Sequence, residues 1–319
     1  MTKKKRPVSD NEEVEDIDGD DTDGGQVTSG EEETEGTSDD DNDDEYPEVS
    51  EEDDEDEKQE EVVIDFEFFS PKEIDFHGLR ALLFTYLDGR QYDASGLVNA
   101  IIKQDTVGNV VKTSEEDDPI AIFTALNTQT HSHQEWFKEL KDFLSSSCKD
   151  ATIKKSISEA LSQSGTALLV NERLINCPPK LAPPLMQFLF EEIREVCEDE
   201  ERSKQERDSF AFERYIVVTR LYADHEASGS RQQAVAGPSS SKKKQKGTEG
   251  PVLVYLRPED EFLHKHCVWS HTFPVEGKVV GKDDLQPLRM VMLVDTANIP
   301  KVRKALDATV GNMAANVGL

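Results

Sequence analysis

The chain of 319 residues carries 67 acidic and 36 basic side chains, a formal net charge of -31 at pH 7. Direct binding to nucleic acid is not expected, because the phosphate backbone would repel so anionic a protein. The charge is unevenly distributed: residues 1–61 hold 29 acidic and five basic residues, a net charge of -24, which leaves -7 for residues 62–319. The sequence therefore predicts two parts of different physical character.

Residues 1–61, called the acidic tail below, contain only seven apolar side chains. Their burial cannot offset a backbone ordering cost of roughly 1–2 kcal/mol per residue, so we predict that the tail is disordered. Residues 62–319 are numerous enough for one large domain or two small ones. The sequence has neither a run of about 20 apolar residues nor an apolar signal-peptide core, so we expect a soluble intracellular protein.

Apolar spacing predicts alternating strands and helices in residues 62–224. β-Branched and aromatic residues indicate strands, and apolar residues three or four apart indicate amphipathic helices. The strands are predicted at 62–69, 107–111, 120–126, 166–170 and 210–222, and the helices at 76–87, 95–104, 136–144, 153–161 and 183–196.

Residues 225–250 interrupt this pattern with glycine, proline, serine and lysine, and their net charge is +3. We call them the basic insert and predict that they are disordered. Strands are predicted to follow at 252–256, 268–273 and 288–294, with a helix after Pro300. The alternation predicts an α/β domain, and three strands without intervening helices predict a mixed sheet with some antiparallel pairs.

The common signatures of catalysis are absent: the sequence has no GxSxG, no GxxxxGK[ST] and no HExxH. His264, His266, Cys267 and His271 could supply zinc ligands, but three loop or surface histidines and one core thiol are the preferred interpretation. The four cysteines, at 148, 177, 197 and 267, form no CxxC pair and are expected to be reduced and mostly buried. We therefore predict no catalytic residue, no cofactor and no metal site.

Two further polar segments have local explanations. Ser132, between His131 and His133, is predicted to cap the following helix. Asp117 and Asp118 are predicted to form a solvated turn rather than an acid–base pair.

Trp136 and Trp269 are predicted to lie in the core, although an exposed Trp269 would indicate a partner contact.

Charged clusters are the more informative motifs. Short basic clusters can be recognised by nuclear import receptors, and an acidic residue three positions after a serine or threonine favours acid-directed kinases. The import candidates are Lys3, Lys4, Lys5, Arg6, Lys242, Lys243, Lys244 and Lys246; the phosphorylation candidates are Ser9, Ser29, Thr37, Ser38, Ser50 and Ser114. The acidic tail is either a solubilising polymer or an RNA mimic that binds the basic surface of a client protein.

Several segments resemble the BCCIP family of eukaryotic nuclear proteins over roughly residues 62–312. They are Phe66-Glu-Phe-Phe-Ser70, Asp75-Phe-His-Gly-Leu79, Val107-Gly-Asn-Val-Val-Lys112, Thr166 to Pro179, Tyr215-Ile-Val-Val218 and Pro287 to Val294. The stretch from Asn171 to Pro179 is the most specific. Its family-motif residues of unassigned role are Asn171, Glu172, Arg173, Asn176, Pro178 and Pro179.

The resemblance implies a fold similar to that of the GNAT acetyltransferases, without acetyltransferase activity. The acetyltransferase phosphate loop has Arg or Gln followed by glycine three residues later, and no Arg or Gln here meets that condition. The resemblance further implies a nuclear chaperone that escorts a basic large-subunit ribosomal protein and shuttles to the cytoplasm, with nuclear transport receptors and a phosphoinositide kinase among its partners. The resemblance links this chaperone role to the fungal branch of the family, and the acidic tail and simple α/β core favour the chaperone role for this chain. The alternatives are a scaffold in DNA repair and cell-cycle control, and a divergent acyltransferase.

Overall fold

The computed structural model describes residues 65–104, 106–225, 251–278, 281 and 284–316, and the fold below concerns these residues. The predicted acidic tail and residues 226–250 of the basic insert lie outside them. The strands are β1 (Glu67–Phe69), β2 (Asn109–Lys112), β3 (Ala121–Asn127), β4 (Thr166–Arg173), β5 (Arg214–Asp224), β6 (Val252–Tyr255), β7 (Trp269–Pro274) and β8 (Gln286–Asp295).

Eight helices accompany these strands in the described part of the chain, apart from short 3₁₀ turns. They are α1 (Phe76–Leu83), α2 (Ala94–Lys103), α3 (Glu135–Ser147), α4 (Ala151–Ser162), α5 (Ala182–Glu198), α6 (Lys204–Phe210), α7 (Pro258–Lys265) and α8 (Ile299–Asn316). Three helices have an N-cap residue whose side chain accepts a hydrogen bond from a backbone N–H of the first turn: Asp93 for α2, Asp150 for α4 and Ser203 for α6.

All eight strands form one sheet in the order β1-β2-β3-β4-β5-β8-β7, and β6 pairs with β5 off this path. The β4–β5 pair is parallel, and the other strand pairs in the described residues are antiparallel. The predicted α/β class, with a mixed sheet flanked by helices, is confirmed.

Helices cover both faces of the sheet, which explains why its central strands are apolar at successive positions. Along β5, Tyr215 and Val217 point to a core that includes residues of α5 and α8, whereas Ile216 and Val218 point to a core built with α1 to α4. Alternate side chains of the strand therefore contribute to two separate apolar clusters, one on each side of the sheet. Trp136 lies fully buried in the second cluster, as predicted, and Trp269 is half-buried against it.

The structure corrects several sequence-based predictions. Helix α1 ends at Leu83 rather than near Leu87, and turns lead to Asp88 and Gly89, whose φ angles are both positive. The short charged helices α6 and α7 were not predicted; α7 separates β6 from β7, so the expected run of strands without helices is wrong.

The N-cap of α3 is Gln134, without a side-chain hydrogen bond. The prediction that Ser132 caps this helix is therefore wrong, because its hydroxyl donates to the carbonyl of Gln129 instead.

Candidate functional site

The two parallel strands at the centre of the sheet separate along their length. Their register runs from Thr166 opposite Arg214 to Leu169 opposite Val217 and ends there. From Leu221 onward, β5 pairs with β6 instead of β4. The carboxyl end of β4 and the middle of β5 therefore border an opening, which we call the β4–β5 cleft.

Arg257, immediately before α7, fills the base of the β4–β5 cleft. Its Nε donates to Asp260 Oδ2 at 2.9 Å, its Nη2 donates to Thr219 Oγ1 at 2.8 Å, and its Nη1 donates to the backbone oxygen of Asn171. One guanidinium thus connects β4, β5 and α7. Burial acts to lower the pKa of Arg257, but the nearby carboxylates of Asp260 and Glu172 more than reverse this, so its pKa is raised and it stays charged.

Two carboxylates complete the buried network. Glu259 accepts from Asn171 Nδ2 at 2.8 Å and pairs with Arg173. Glu172 accepts from Arg220 Nη2 at 2.9 Å and lies 3.3 Å from Arg257 Nη1. The network therefore balances three arginines with three acids, as buried charges require.

The arrangement assigns a structural role to the most specific part of the family motif. Asn171, Glu172 and Arg173 all contribute side chains to the network, while Asn176 is exposed and Pro178 and Pro179 belong to the loop after β4. Their partners Arg220, Arg257, Glu259 and Asp260 were not identified from the sequence. A sequence pattern could have located Arg257, Glu259 and Asp260: proline at 258 followed by acidic residues is typical of the first turn of a helix.

A cavity of about 310 Å³ opens above the network. Glu172, Arg173, Arg220 and Arg257 form its charged floor. Apolar side chains form its rim and remain in contact with solvent: Ile175 is 83% exposed, Leu174 48% and Leu256 40%. Two buried floor atoms, Glu172 Oε1 and Arg173 Nη1, have no hydrogen-bond partner.

A second cavity, of about 600 Å³, lies between α5 and α8. Phe190, Phe210, Phe212 and Tyr215 line it, with Cys197 beside them. Burial raises the pKa of both Tyr215 and Cys197, so neither is ionised near neutral pH. Four charged residues also line this cavity: Arg194, Arg303, Lys304 and Asp307.

The helix that follows β4 is poorly suited to hold a phosphate. A helix N-terminus binds anions through its free backbone N–H groups. Helix α5 has Pro183 and Pro184 in its first turn, and Pro179 begins the 3₁₀ turn before it; proline has no N–H to offer. The loop between β4 and α5 also contains no glycine.

The histidines and cysteines that were considered as zinc ligands have other contacts in the structure. Among the described residues, no group of three or more His, Cys, Asp or Glu side chains could hold a metal ion. His264 lies in the last turn of α7; its Nδ1 is 2.5 Å from the hydroxyl of Tyr255 and its Nε2 is 2.9 Å from the hydroxyl of Ser270. All four cysteines are free thiols: Cys148 is buried and the other three are half-buried.

The remaining sequence candidates are dispersed. Asp117 and Asp118 are exposed in the turn between β2 and β3, in agreement with a solvated turn, and Ser114 is exposed beside them. The import candidates Lys3 to Arg6 and Lys242 to Lys246 lie outside the described residues, as do Ser9, Ser29, Thr37, Ser38 and Ser50. None of the helices in the described ranges is long and apolar enough to cross a membrane.

Comparison with known proteins identifies relatives of this chain. The BCCIP family model matches residues 61–263. The chain is 36% identical over 256 residues to a protein BCCIP homolog of Arabidopsis thaliana, which covers 78% of this chain and 75% of the relative. It is 32% identical over 223 residues to protein bcp1 of Emericella nidulans, which covers 68% of this chain and 73% of the relative.

A solved structure shares the fold. The crystal structure of BCP1 from Saccharomyces cerevisiae aligns with 80% of this chain and 93% of its own, with a TM-score of 0.52 and 22% identity. The resemblance of the motif segments, the family match over residues 61–263 and the identity to plant and fungal relatives agree with one another. The chain belongs to the BCCIP family.

Proposed function

We propose that this protein is a non-catalytic chaperone that escorts a basic large-subunit ribosomal protein during ribosome assembly and nuclear transport. The observation that carries the proposal is the charge distribution, -24 in residues 1–61 against -7 in residues 62–319. A polyanion of this density attracts a strongly basic protein and competes for the surface that RNA would otherwise occupy.

The β4–β5 cleft supports a binding role over an enzymatic one. The protein's own Arg257, Glu259 and Asp260 occupy the space between the separated strands. The first turn of α5 offers few N–H groups to a cofactor phosphate, because Pro183 and Pro184 stand there. A bound acyl donor would have to displace a charge-balanced buried network, which is costly.

The test compares three forms of the protein: the full chain, residues 62–319, and a chain whose acidic tail is replaced by a neutral Gly/Ser/Asn/Gln segment of equal length. Affinity purification of the tagged full chain from its own cells, followed by mass spectrometry, identifies the client for the binding titrations. We expect a free basic ribosomal protein in stoichiometric amount. Its affinity for both tail variants should fall and depend less on salt, because screening acts on the charges that were removed.

Circular dichroism and thermal unfolding serve as controls that residues 62–319 remain folded in each form. Equal affinity of the neutral-tail chain at low salt would contradict the electrostatic role of the tail. Recovery of repair or cell-cycle proteins that persist at high salt, without a ribosomal protein, would instead favour the scaffold alternative.

A further inference from the structure

The cavity between α5 and α8 has no part in the proposed chaperone function. Helix α5, the segment that joins α6 to β5, and α8 form its walls. Its volume of about 600 Å³ lies in the middle of the range of small-molecule sites, about 300–1,000 Å³. The cavity therefore has room for a whole small molecule.

Four aromatic rings form the interior of this cavity and contact one another edge to face. The ring centroids of Phe190 and Tyr215 are 5.3 Å apart, and those of Phe212 lie 5.9 Å from both Tyr215 and Phe210. Such contacts hold the rings in place before a ligand arrives, which lowers the ordering cost of binding. Thr296 Oγ1 already donates to the carbonyl of Phe212 at 2.8 Å. The interior therefore favours a hydrocarbon body and disfavours a charged group.

The mouth of the cavity, by contrast, is charged. Arg194 lies on α5, and Arg303 and Lys304 lie on α8, so cations border the opening from both helices. Within the described ranges, the side chains of Arg194 and Lys304 make no ion pair or hydrogen bond. Arg303 is 3.6 Å from Glu191 Oε1, and Asp307 is the one acid among the lining residues. Three cations against these two acids leave the mouth positively charged.

The other charges of the protein determine where an anion can bind. Burial raises the pKa of Cys197 most, and the nearby carboxylates of Glu198 and Asp208 add to this, so that end of the cavity is acidic. An anionic group is favoured at the α8 end instead. The formal net charge of -31 repels anions at long range, but screening limits this repulsion to about 8 Å at physiological ionic strength. Contacts with the unpaired cations therefore dominate at the mouth.

We propose that this cavity binds an amphipathic organic anion of the fatty-acid type. Its hydrocarbon body lies against Phe190, Phe212 and Tyr215, and its single carboxylate lies at the mouth, where it accepts from Arg194 and Lys304. A cationic head group is repelled by the same mouth, and a second charged group would have to enter the apolar interior. The site uses no residue of the acidic tail and goes beyond the proposed chaperone function.

The experiment is isothermal titration calorimetry of the full chain with decanoate at physiological salt. Two ligands are matched to it: decanol has the same chain length without the charge, and decyltrimethylammonium has the opposite charge. We expect decanoate to bind with a Kd below about 0.1 mM and both matched ligands to bind at least about tenfold more weakly, because the charge-assisted contacts are lost or reversed. A doubly capped Asp-Glu-Trp-Glu-Asp peptide tests the alternative ligand, an acidic segment of a partner protein with an aromatic anchor.

Two variants and one control locate the site. Ala211→Trp places an indole at the exposed edge of the cavity, and the double variant Arg194→Glu, Lys304→Glu reverses the charge of the mouth. Each should weaken decanoate binding at least about tenfold. The control Lys149→Glu, Lys154→Glu makes the same change in charge at two exposed lysines outside the cavity lining, and should leave the affinity unchanged. Thermal unfolding checks that all three proteins are folded.

Four outcomes would overturn the proposal. In the first, decanoate does not bind below about 1 mM. In the second, decanol or decyltrimethylammonium binds as tightly as decanoate. In the third, Ala211→Trp and the charge-reversed variant bind decanoate as the unaltered chain does. In the fourth, only the peptide binds and Ala211→Trp abolishes its binding, which would identify the cavity as a docking site for a partner protein. The tail variants test the chaperone function separately, so the two can fail independently.

Discussion

Lys112 and Asp75 form an ion pair that is almost wholly removed from solvent, with each side chain 1% exposed. Asp75 also accepts the backbone N–H of Lys72 at 2.7 Å, and Lys112 donates to the carbonyl of Glu115 at 2.8 Å. The pair thereby connects the segment before α1 to the end of β2. Both residues lie in segments that resemble the BCCIP family, but no local pattern indicates their pairing, because the contact joins positions 37 apart.

Substituting one residue of the pair should lower the free energy of unfolding much more than substituting both. Lys112→Met leaves the carboxylate of Asp75 buried and unpaired, and we expect a loss of about 3–5 kcal/mol in the free energy of unfolding. In the double variant Asp75→Leu, Lys112→Met, most of that loss should be recovered, since no buried charge remains. Urea unfolding of the two single variants and the double variant measures this coupling. Additive losses would show that the ion pair does not hold the two segments together.

Burial lowers the pKa of three histidines, His131, His264 and His271, so the free energy of unfolding should depend on pH. Burial lowers the pKa of His131, whose ring packs 5.5 Å from the Trp136 ring, and burial also lowers the pKa of His264. Below the unfolded pKa of 6.5, the unfolded chain binds more protons than the folded one. The contribution of these groups to the free energy of unfolding should therefore be greatest above pH 6.5 and should fall as the pH decreases.

The contribution of His131 can be isolated by substitution. His131→Gln should reduce the loss of stability between pH 6.5 and pH 5, and the exposed His77→Gln should serve as the matched control that leaves it unchanged. Denaturant unfolding at several pH values provides the measurement. An identical pH profile for His131→Gln and the unaltered chain would contradict this assignment.

At the scale of elements, the residue before β2 has a backbone conformation that favours glycine. Gly108 has a φ of +122°, and a Cβ at that position would lie 2.5 Å from Thr124 Oγ1 on β3. Its N–H donates to Glu192 Oε2 at 2.8 Å, and Asn109 Nδ2 donates to the other oxygen of Glu192. Glu192 of α5 thus fixes the position of β2, which explains the Gly-Asn pair seen in the sequence.

Gly108→Ala should therefore be destabilising through both strain and steric overlap, by about 3 kcal/mol or more. Gly277→Ala is the matched control, because Gly277 has a φ of +76° but no atom within 4 Å of a Cβ. Gly277→Ala should lower the free energy of unfolding by about 1–2 kcal/mol, through backbone strain alone. Urea unfolding of both variants separates the two contributions. Equal losses would show that β3 yields to the added methyl group at no cost.

The elements that sequence patterns predicted are those whose apolar spacing is regular. Helices α3 and α4 and strand β3 agree closely with their patterns, because each buries a continuous set of side chains. Helices α6 and α7 were missed because they are short, seven and eight residues, and rich in charge. In α7, Glu259 is buried against Arg173 of β4, and Asp260 is buried against Arg257, the residue before the helix.

At the scale of the whole molecule, the sequence predicted the class of fold and the mixed sheet but not the separation of β4 from β5. Strand register depends on contacts between Thr166–Leu169 and Arg214–Val217, which no local pattern encodes. The cleft and its network follow from that register. The motif residues Asn171, Glu172 and Arg173 could therefore be identified from the sequence, but their role required the fold.

At the same scale, we propose that the protein enters the nucleus and that Lys3, Lys4, Lys5 and Arg6 direct its import. This cluster lies at the start of the acidic tail and is the denser of the two basic clusters in the sequence. A chain with these four residues changed to alanine should remain in the cytoplasm when expressed as a fluorescent fusion. The matched variant with Lys242, Lys243, Lys244 and Lys246 changed to alanine should enter the nucleus normally. If the first variant enters and the second does not, the basic insert carries the signal; if both enter, import depends on a bound partner.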